Sequence, residues 1–356
     1  MLVKGRSRRR ATAAMALAAA VVVTAAGCAR ENAGVDPAKD SGIVHVVCGA
    51  TEDWCAATTK KFTESTGVKA DFVRLSSGEA LARIKAGKGN AEFDVWYGGP
   101  ADGYAAANTD GMLDAYVSPN AAVIPDKYKD PAGSWTGVYV GALGFCSNGK
   151  LLAEKGLEVP KSWADLLNPK LNREIGIAHP STSGTAYTAL WTQVQLAGGD
   201  QGKALEYMRK LHPNVLQYTK SGSAPGQMTA RGEVTVGIIF SHDCVATMEE
   251  GFPDLKVSFP SEGTGYETGG VALVKGAKNP TSAKKFIDWA LTTEAQEIGP
   301  TVKSYQFPTN PNAKVSDKVV KLSELTMVQY DAVAAGTAKS ALNKRFDAEV
   351  AQAPKS

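Results

Sequence analysis

The chain has 356 residues, with 39 Lys and Arg against 36 Asp and Glu and a formal charge of +3. Hydrophobic residues make up 44% and charged residues 21%, an ordinary balance that excludes a disordered, collagen-like or small disulfide-scaffold chain. The positive charge is local: Lys4, Arg6, Arg8, Arg9 and Arg10 all fall within residues 1–27, and the rest carries 34 basic against 36 acidic residues, which offers no electrostatic footprint for nucleic acid. At roughly 150 residues per domain the length predicts about two domains.

Residues 1–10 are basic, and 11–26 form an apolar stretch of signal-peptide length, too short to span a membrane comfortably. It ends in Ala25-Ala26-Gly27-Cys28, which resembles a lipobox with Ala25 where Leu is usual. The expectation is a signal peptide over 1–27 and a lipid on the Cys28 thiol, which holds a protein at the membrane without crossing it. An ordinary secretory cleavage leaving Cys28 as a spare thiol is the alternative. Residues 28–42 are polar, carry Gly, Pro and Asp, and read as a flexible tether.

Four cysteines remain, an even number in an exported chain, which suggests two disulfides. Three pairings are open. Cys48–Cys55, closing a short loop after the first strand, together with Cys146–Cys244 is the preferred one. No close Cys/His pair has the spacing of a metal site.

In chain order, 43–47 is a β-branched run expected as a buried strand, 51–65 a helix, 68–75 a strand, 79–86 a helix and 93–97 a strand. Residues 135–146 read as extended, 150–156 as a helix end and 162–167 as a short helix. A strand at 175–178, helices through 197, over 202–211 and over 224–231, and a strand at 234–240 follow. Residues 245–250 look helical, 257–259 and 270–274 are strands, 280–292 is an amphipathic helix, and 311–356 looks mostly helical. Alternation of strands and helices predicts an α/β fold, mainly parallel sheets with helices on both faces.

Ligands in such sheets bind beyond the carboxyl ends of strands, beside helix starts. Four of those loops are rich in hydroxyls and glycine: Thr51-Glu52, Ser76-Ser77-Gly78, Gly98-Gly99 and Ser181-Thr182-Ser183-Gly184-Thr185. Free backbone N–H groups, the positive end of the helix dipole and Ser/Thr hydroxyls suit phosphate without any Lys or Arg. Each loop alone reads more readily as plain N-capping, and it is the four together that raise the binding reading. Ser241-His242-Asp243 ends a strand and can hydrogen-bond sugar hydroxyls; its plain reading is an Asp capping a helix from 245 beside an exposed His. Glu262-Gly263-Thr264-Gly265-Tyr266-Glu267 places two carboxylates and a Tyr in a Gly-rich loop able to grip a polyol, or forms a solvated turn. No nucleophile elbow, P-loop or zincin helix occurs.

The lipobox, the strand–loop–helix series and the segments SSGEALARIKA (76–86), DVWYGGPADGY (94–104), HPSTSGTAYTAL (179–190), SGSAPGQMTARGEVTVGI (221–238) and EGTGYETGGVALVKGAKNP (262–280) resemble the extracellular solute-binding lipoproteins of bacterial ABC importers. The similarity is to the ferric-iron-binding-like branch, over about 43–312. It implies a type II periplasmic-binding-protein-like fold: lobe one over 43–138 plus 271–310, lobe two over 139–270, C-terminal helices over 311–356, and a hinged cleft. The branch's iron binders have an adjacent tyrosine pair where this chain has Ser241-His242-Asp243. The similarity is closer to hexose-phosphate and organophosphonate binders. It implies that His242, Asp243 and Glu262 or Glu267 hold the organic part, and that Ser76, Ser77, Gly99, Ser181, Thr182, Ser183 and Thr185 cradle phosphate. The expected partners are an organophosphate ligand and a membrane permease, with no cofactor, no metal, no catalysis and a monomeric state. A ferric-iron receptor and an extracellular phosphate-ester hydrolase are the alternatives.

Overall fold

The computed structural model describes residues 40–352. The signal peptide, Cys28 and all of the tether before residue 40 lie outside them. Among the described residues no helix is long and apolar enough to cross a membrane.

The elements in order are β1 Ile43–Cys48, α1 Glu52–Thr66, β2 Lys69–Arg74, α2 Ser77–Ala86, β3 Val95–Pro100, α3 Ala101–Thr109, β4 Leu113–Asp114, β5 Thr136–Asn148 and α4 Gly149–Glu154. There follow β6 Ile175–Ala178, α5 Gly184–Leu196, α6 Gln201–Leu211, β7 Val215–Thr219, α7 Ala224–Ala230, β8 Val236–Phe240, α8 Ser241–Glu249 and β9 Leu255–Ser258. The chain continues with β10 Tyr266–Val274, α9 Pro280–Ala290, α10 Thr293–Gln296, β11 Phe307–Pro308 and α11 Ala332–Phe346.

The strands run β2-β1-β3-β10-β5-β8-β6-β7, with β11 and β9 on β5 and β4 on β10. Parallel pairing is confined to the two ends, β2-β1-β3 and β7-β6-β8. In the middle, β10 pairs antiparallel with β3, β4 and β5, and β5 antiparallel with β8, β9 and β11. The sheet is thus mixed. Helical crossovers make neighbours parallel, whereas β5 and β10 carry the chain between the two ends and return it.

β5 is the join. Residues up to Ala142 pair with β10, and Leu143–Ser147 pair with β8. Each half has its own apolar core. One gathers Phe62, Tyr97, Phe286 and Trp289 from α1, β3 and α9. The other gathers Tyr187, Leu190, Leu205 and Phe346 from α5, α6 and α11. In β10, Gly269 and Gly270 are required by rings: a Cβ on Gly269 would lie 2.1 Å from Tyr139, and one on Gly270 would lie 2.9 Å from Tyr104.

Three elements differ from the sequence reading. Helix α8 starts at Ser241 rather than 245, because Phe240 is already the extended N-cap and no loop separates strand from helix. Ser241-His242-Asp243 is therefore a first helical turn, where the acidic Asp243 complements the dipole. Strand β10 starts at Tyr266, so Tyr266 and Glu267 belong to a strand, not a flexible loop. The stretch 311–331 has only one short 3-10 turn, Leu322–Glu324, where helix was expected. Its backbone is held extended on Thr264: Thr264 N–H donates to Thr326 O and Val328 N–H to Thr264 O, both at 2.9 Å.

Candidate functional site

Six helix starts and five strands converge on one cleft between the halves. Its lining takes Gly49, Ala50 and Thr51 ahead of α1, Arg74 at the end of β2, Ser76 and Ser77 at the start of α2, and Gly99 and Pro100 ahead of α3. The other half supplies Ser183, Gly184 and Thr185 at α5, Gly222 and Ser223 ahead of α7, and Phe240, His242 and Asp243 at α8. Tyr139 from β5, Glu267 from β10 and Gln306 complete it. One helix start contributes about 0.3–1 kcal/mol to a nearby anion, so a phosphate needs several aimed together. That convergence is what the tertiary fold adds to four separate caps.

The halves touch at the cleft. Gly78 N–H donates to Thr182 O at 2.9 Å, and Lys220 Nζ lies 2.5 Å from Glu79 Oε1. A Cβ on Gly184 would meet Pro100 Cδ at 2.5 Å. Gly99 has φ +87°, and a Cβ there would sit 2.5 Å from Ser77 Oγ, so only glycine lets this hydroxyl pack against the loop. Tyr139 OH accepts the Gly99 N–H at 2.9 Å. Arg74 Nε donates to Ala50 O at 3.1 Å, which fixes the cation at the rim of the α1 loop.

A second cluster faces the same cleft. His242, 5% exposed, stacks on Phe240 with ring centroids 5.6 Å apart, and its Nε2 lies 3.7 Å from Asp243 Oδ1 and 3.9 Å from Glu267 Oε1. Gln306 Oε1 accepts from Ser304 Oγ, which turns the Gln306 amide nitrogen toward His242 Nε2 at 3.1 Å. Nε2 is then an acceptor, and the ring proton falls on Nδ1, a buried donor without a protein partner. Burial pushes the imidazole down to about 3, so the ring is neutral at pH 7. Burial pushes the Asp243 carboxyl up to about 7, opposed by the Arg74 charge. Glu267 is raised well above the carboxylate range by burial, with Asp243 and Asp102 adding to it. The cluster therefore offers a neutral imidazole and acids that both donate and accept, the set that matches hydroxyl groups.

The family model for bacterial extracellular solute-binding proteins matches residues 57–327. The chain belongs to that family. It is 43% identical over 300 residues to a Haemophilus influenzae protein of unassigned function, covering 83% of this chain and 86% of that one. It is similar to the solved periplasmic binding protein AfuA of Actinobacillus pleuropneumoniae with exogenous fructose-6-phosphate bound: 42% identity, TM-score 0.84, 87% of this chain and 99% of that one. It is also similar to the periplasmic binding protein P5PA, with 33% identity, TM-score 0.83 and the same coverage.

In this solute-binding protein the cleft collects Thr51, Ser76, Ser77, Gly99, Ser183, Thr185, His242, Asp243 and Glu267 from the sequence-selected set. Seven others stand off it. Glu52 is exposed on α1. Gly98 turns at φ +79° and gives its carbonyl to Tyr104 OH. Ser181 donates its N–H to His179 Nδ1, and Thr182 spends its hydroxyl on His179 O and Lys220 O. Ser241 is buried under the helix start. Glu262 is exposed and accepts from Ser162 Oγ at 2.5 Å and Trp163 N–H at 3.2 Å, so it closes a local turn. Tyr266 neighbours Glu267 on β10 and so points to the other face, toward Tyr330.

Sequence reasoning missed Arg74, Tyr139, Ser223 and Gln306. Arg74, which the phosphate reading did not include, also lines the cleft. It ends β2, so the strand-end rule could have found it. Gln306 lies 64 residues from the His242 it orients, and no local motif connects them. Both expected disulfides form, Cys48–Cys55 and Cys146–Cys244. Among the described residues no group of three or more His, Cys, Asp or Glu is placed to hold a metal ion.

Proposed function

We propose that this protein is the substrate-binding component of an ABC importer and captures a phosphorylated small molecule, a sugar phosphate foremost. The observation that carries the reading is one cleft that joins converging helix starts and Arg74 to a buried His242–Asp243–Glu267 cluster. Thr51, Ser76, Ser77, Gly99, Ser183 and Thr185 would cradle the phosphate with Arg74 as countercharge. His242, Asp243 and Glu267 would hold the organic hydroxyls. The fructose-6-phosphate bound to AfuA supports this choice over a bare anion or an iron ion. Lobe one, 43–138 plus 271–310, would close on lobe two, 139–270, because a ligand touching both shifts the equilibrium toward the closed form. The closed form would then present itself, as a monomer tethered through the Cys28 lipid, to a membrane permease.

Native mass spectrometry of protein purified without refolding, followed by calorimetry with fructose 6-phosphate, glucose 6-phosphate, 2-aminoethylphosphonate and inorganic phosphate, tests this. A retained organophosphate mass and stoichiometric binding without phosphate release are expected. Retained iron, or no response to any member of the panel, overturns the reading. Phosphate release abolished by His242→Ala would instead make the protein a hydrolase.

A further inference from the structure

Helices α3 and α5 open onto the cleft from opposite halves, and α11 ties them together from behind. Lys339 of α11 places its Nζ 2.6 Å from Asp102 Oδ1, and the two residues are 5% and 1% exposed. The same ammonium lies 3.5 Å from the centroid of the Tyr187 ring, a cation–π contact shielded from water. Asp102 is in the first turn of α3 and Tyr187 in the first turn of α5. One lysine on a third helix therefore touches the opening turn of each.

The surrounding contacts leave no slack. Tyr330 OH donates to Asp102 Oδ2 at 2.9 Å, and Tyr187 OH to Ala335 O at 2.6 Å. A Cβ on Gly336 would sit 2.7 Å from Asp102 O. Helix α11 belongs to the α5–α6 core through Ala335, Leu342 and Phe346, so its ion pair with α3 crosses between the halves. The pair lies a turn behind the point where Pro100 and Gly184 meet. A buried ion pair adds little stability over an apolar pair of similar size, but it strongly penalises any arrangement that parts its members while either stays buried. Opening that parts α3 from α5 takes a lysine, a carboxylate and a ring out of mutual contact.

We propose that Lys339 is a positioning residue for ligand capture, a latch that holds the first turns of α3 and α5 together and sets the balance between open and closed forms. The inference rests on the reading that closure captures the ligand, but not on which ligand that is.

The test compares wild type with Lys339→Met, Asp102→Asn, the double variant and Gly336→Ala. Melting temperature, fructose 6-phosphate affinity, and the small-angle scattering radius of gyration with and without that ligand are measured. Each single charge removal leaves an unpaired buried group and is expected to lower the melting temperature and weaken binding about tenfold or more, the loss following the fall in closed fraction. The double variant should regain the melting temperature yet keep the weak binding and be more expanded without ligand. Gly336→Ala keeps the ion pair's chemistry but forces the helices apart, and should expand the unliganded protein likewise. A double variant with wild-type affinity and wild-type radius overturns the latch. If wild type binds neither fructose 6-phosphate nor inorganic phosphate, the functional reading fails; the latch is then decided by the unliganded double variant, expansion supporting it and an unchanged radius overturning it.

Discussion

Two sets of side chains line the same cleft and offer different chemistry. The loops ahead of α1, α2, α3 and α5 present hydroxyls, glycines and backbone N–H groups, with Arg74 at their edge. Their chemistry suits any phosphate, because N–H groups and a guanidinium read charge and leave the rest of the molecule unread. His242, Asp243 and Glu267 instead form a buried cluster whose protonation is set by burial. A ligand lacking hydroxyls would leave those polar groups unmatched, and such mismatches are where binding sites gain discrimination. On the proposed function, affinity and selectivity would thus fall to different residues.

The sharpest way to break that division is Asp243→Ala. It should weaken fructose 6-phosphate binding about a hundredfold or more, through the loss of a buried hydrogen-bonding group of roughly 3 kcal/mol. Inorganic phosphate binding should change only a few-fold by calorimetry, and equal losses would merge the two sets into one. Arg74→Met is the converse. It should weaken both ligands by a similar factor, about tenfold, because a charge-assisted contact of about 1.5 kcal/mol is lost from each.

The disulfides offer a comparison in stability. Cys146–Cys244 follows directly on Asp243 and links residues 98 apart, whereas Cys48–Cys55 links residues 7 apart around the α1 loop. In the chain-entropy model the larger loop is worth roughly 4.7 kcal/mol and the smaller about 2.5. Replacing the first pair by alanines should therefore cost about 2 kcal/mol more in denaturant unfolding than replacing the second. A reversed order would mean that native-state packing, not loop entropy, governs.

A further comparison is in pH. Asp243 has a raised folded pKa, so its stabilisation is complete below its unfolded value of 3.8 and is lost as pH rises toward 7. His242 has a lowered folded pKa, so the protein gains stability as pH rises from about 3 to 6.5. Each slope is at most about 1.4 kcal/mol per pH unit, and the two oppose each other between 3.8 and 6.5. Glu267, also raised by burial, adds a second falling contribution above its unfolded value, so wild-type stability should fall with rising pH there. His242→Gln should steepen the loss of stability from pH 4 to 7, and Asp243→Asn, leaving His242 and Glu267 in opposition, should flatten it. Parallel profiles for both variants would show that neither group is desolvated as the fold implies.

Much of this molecule is written in local pattern. The β-branched run at 43–47, the hydroxyl-rich helix starts and the even cysteine count are short-range signals, since capping and strand formation depend on near neighbours. They sufficed for the α/β class, the disulfides and nine of the cleft residues. What they could not supply is pairing at a distance. The choice of Glu267 over Glu262 follows from β10 beginning at Tyr266, which buries one carboxylate and leaves the other to Ser162. The orientation of His242 comes from Gln306, the antiparallel centre of the sheet from β5 and β10, and the bond between α3 and α5 from Lys339. Sequence determined which groups the chain carries and the class of most elements; only the tertiary fold decided where α8 and β10 begin and which groups lose their water together, and burial is what sets their charge.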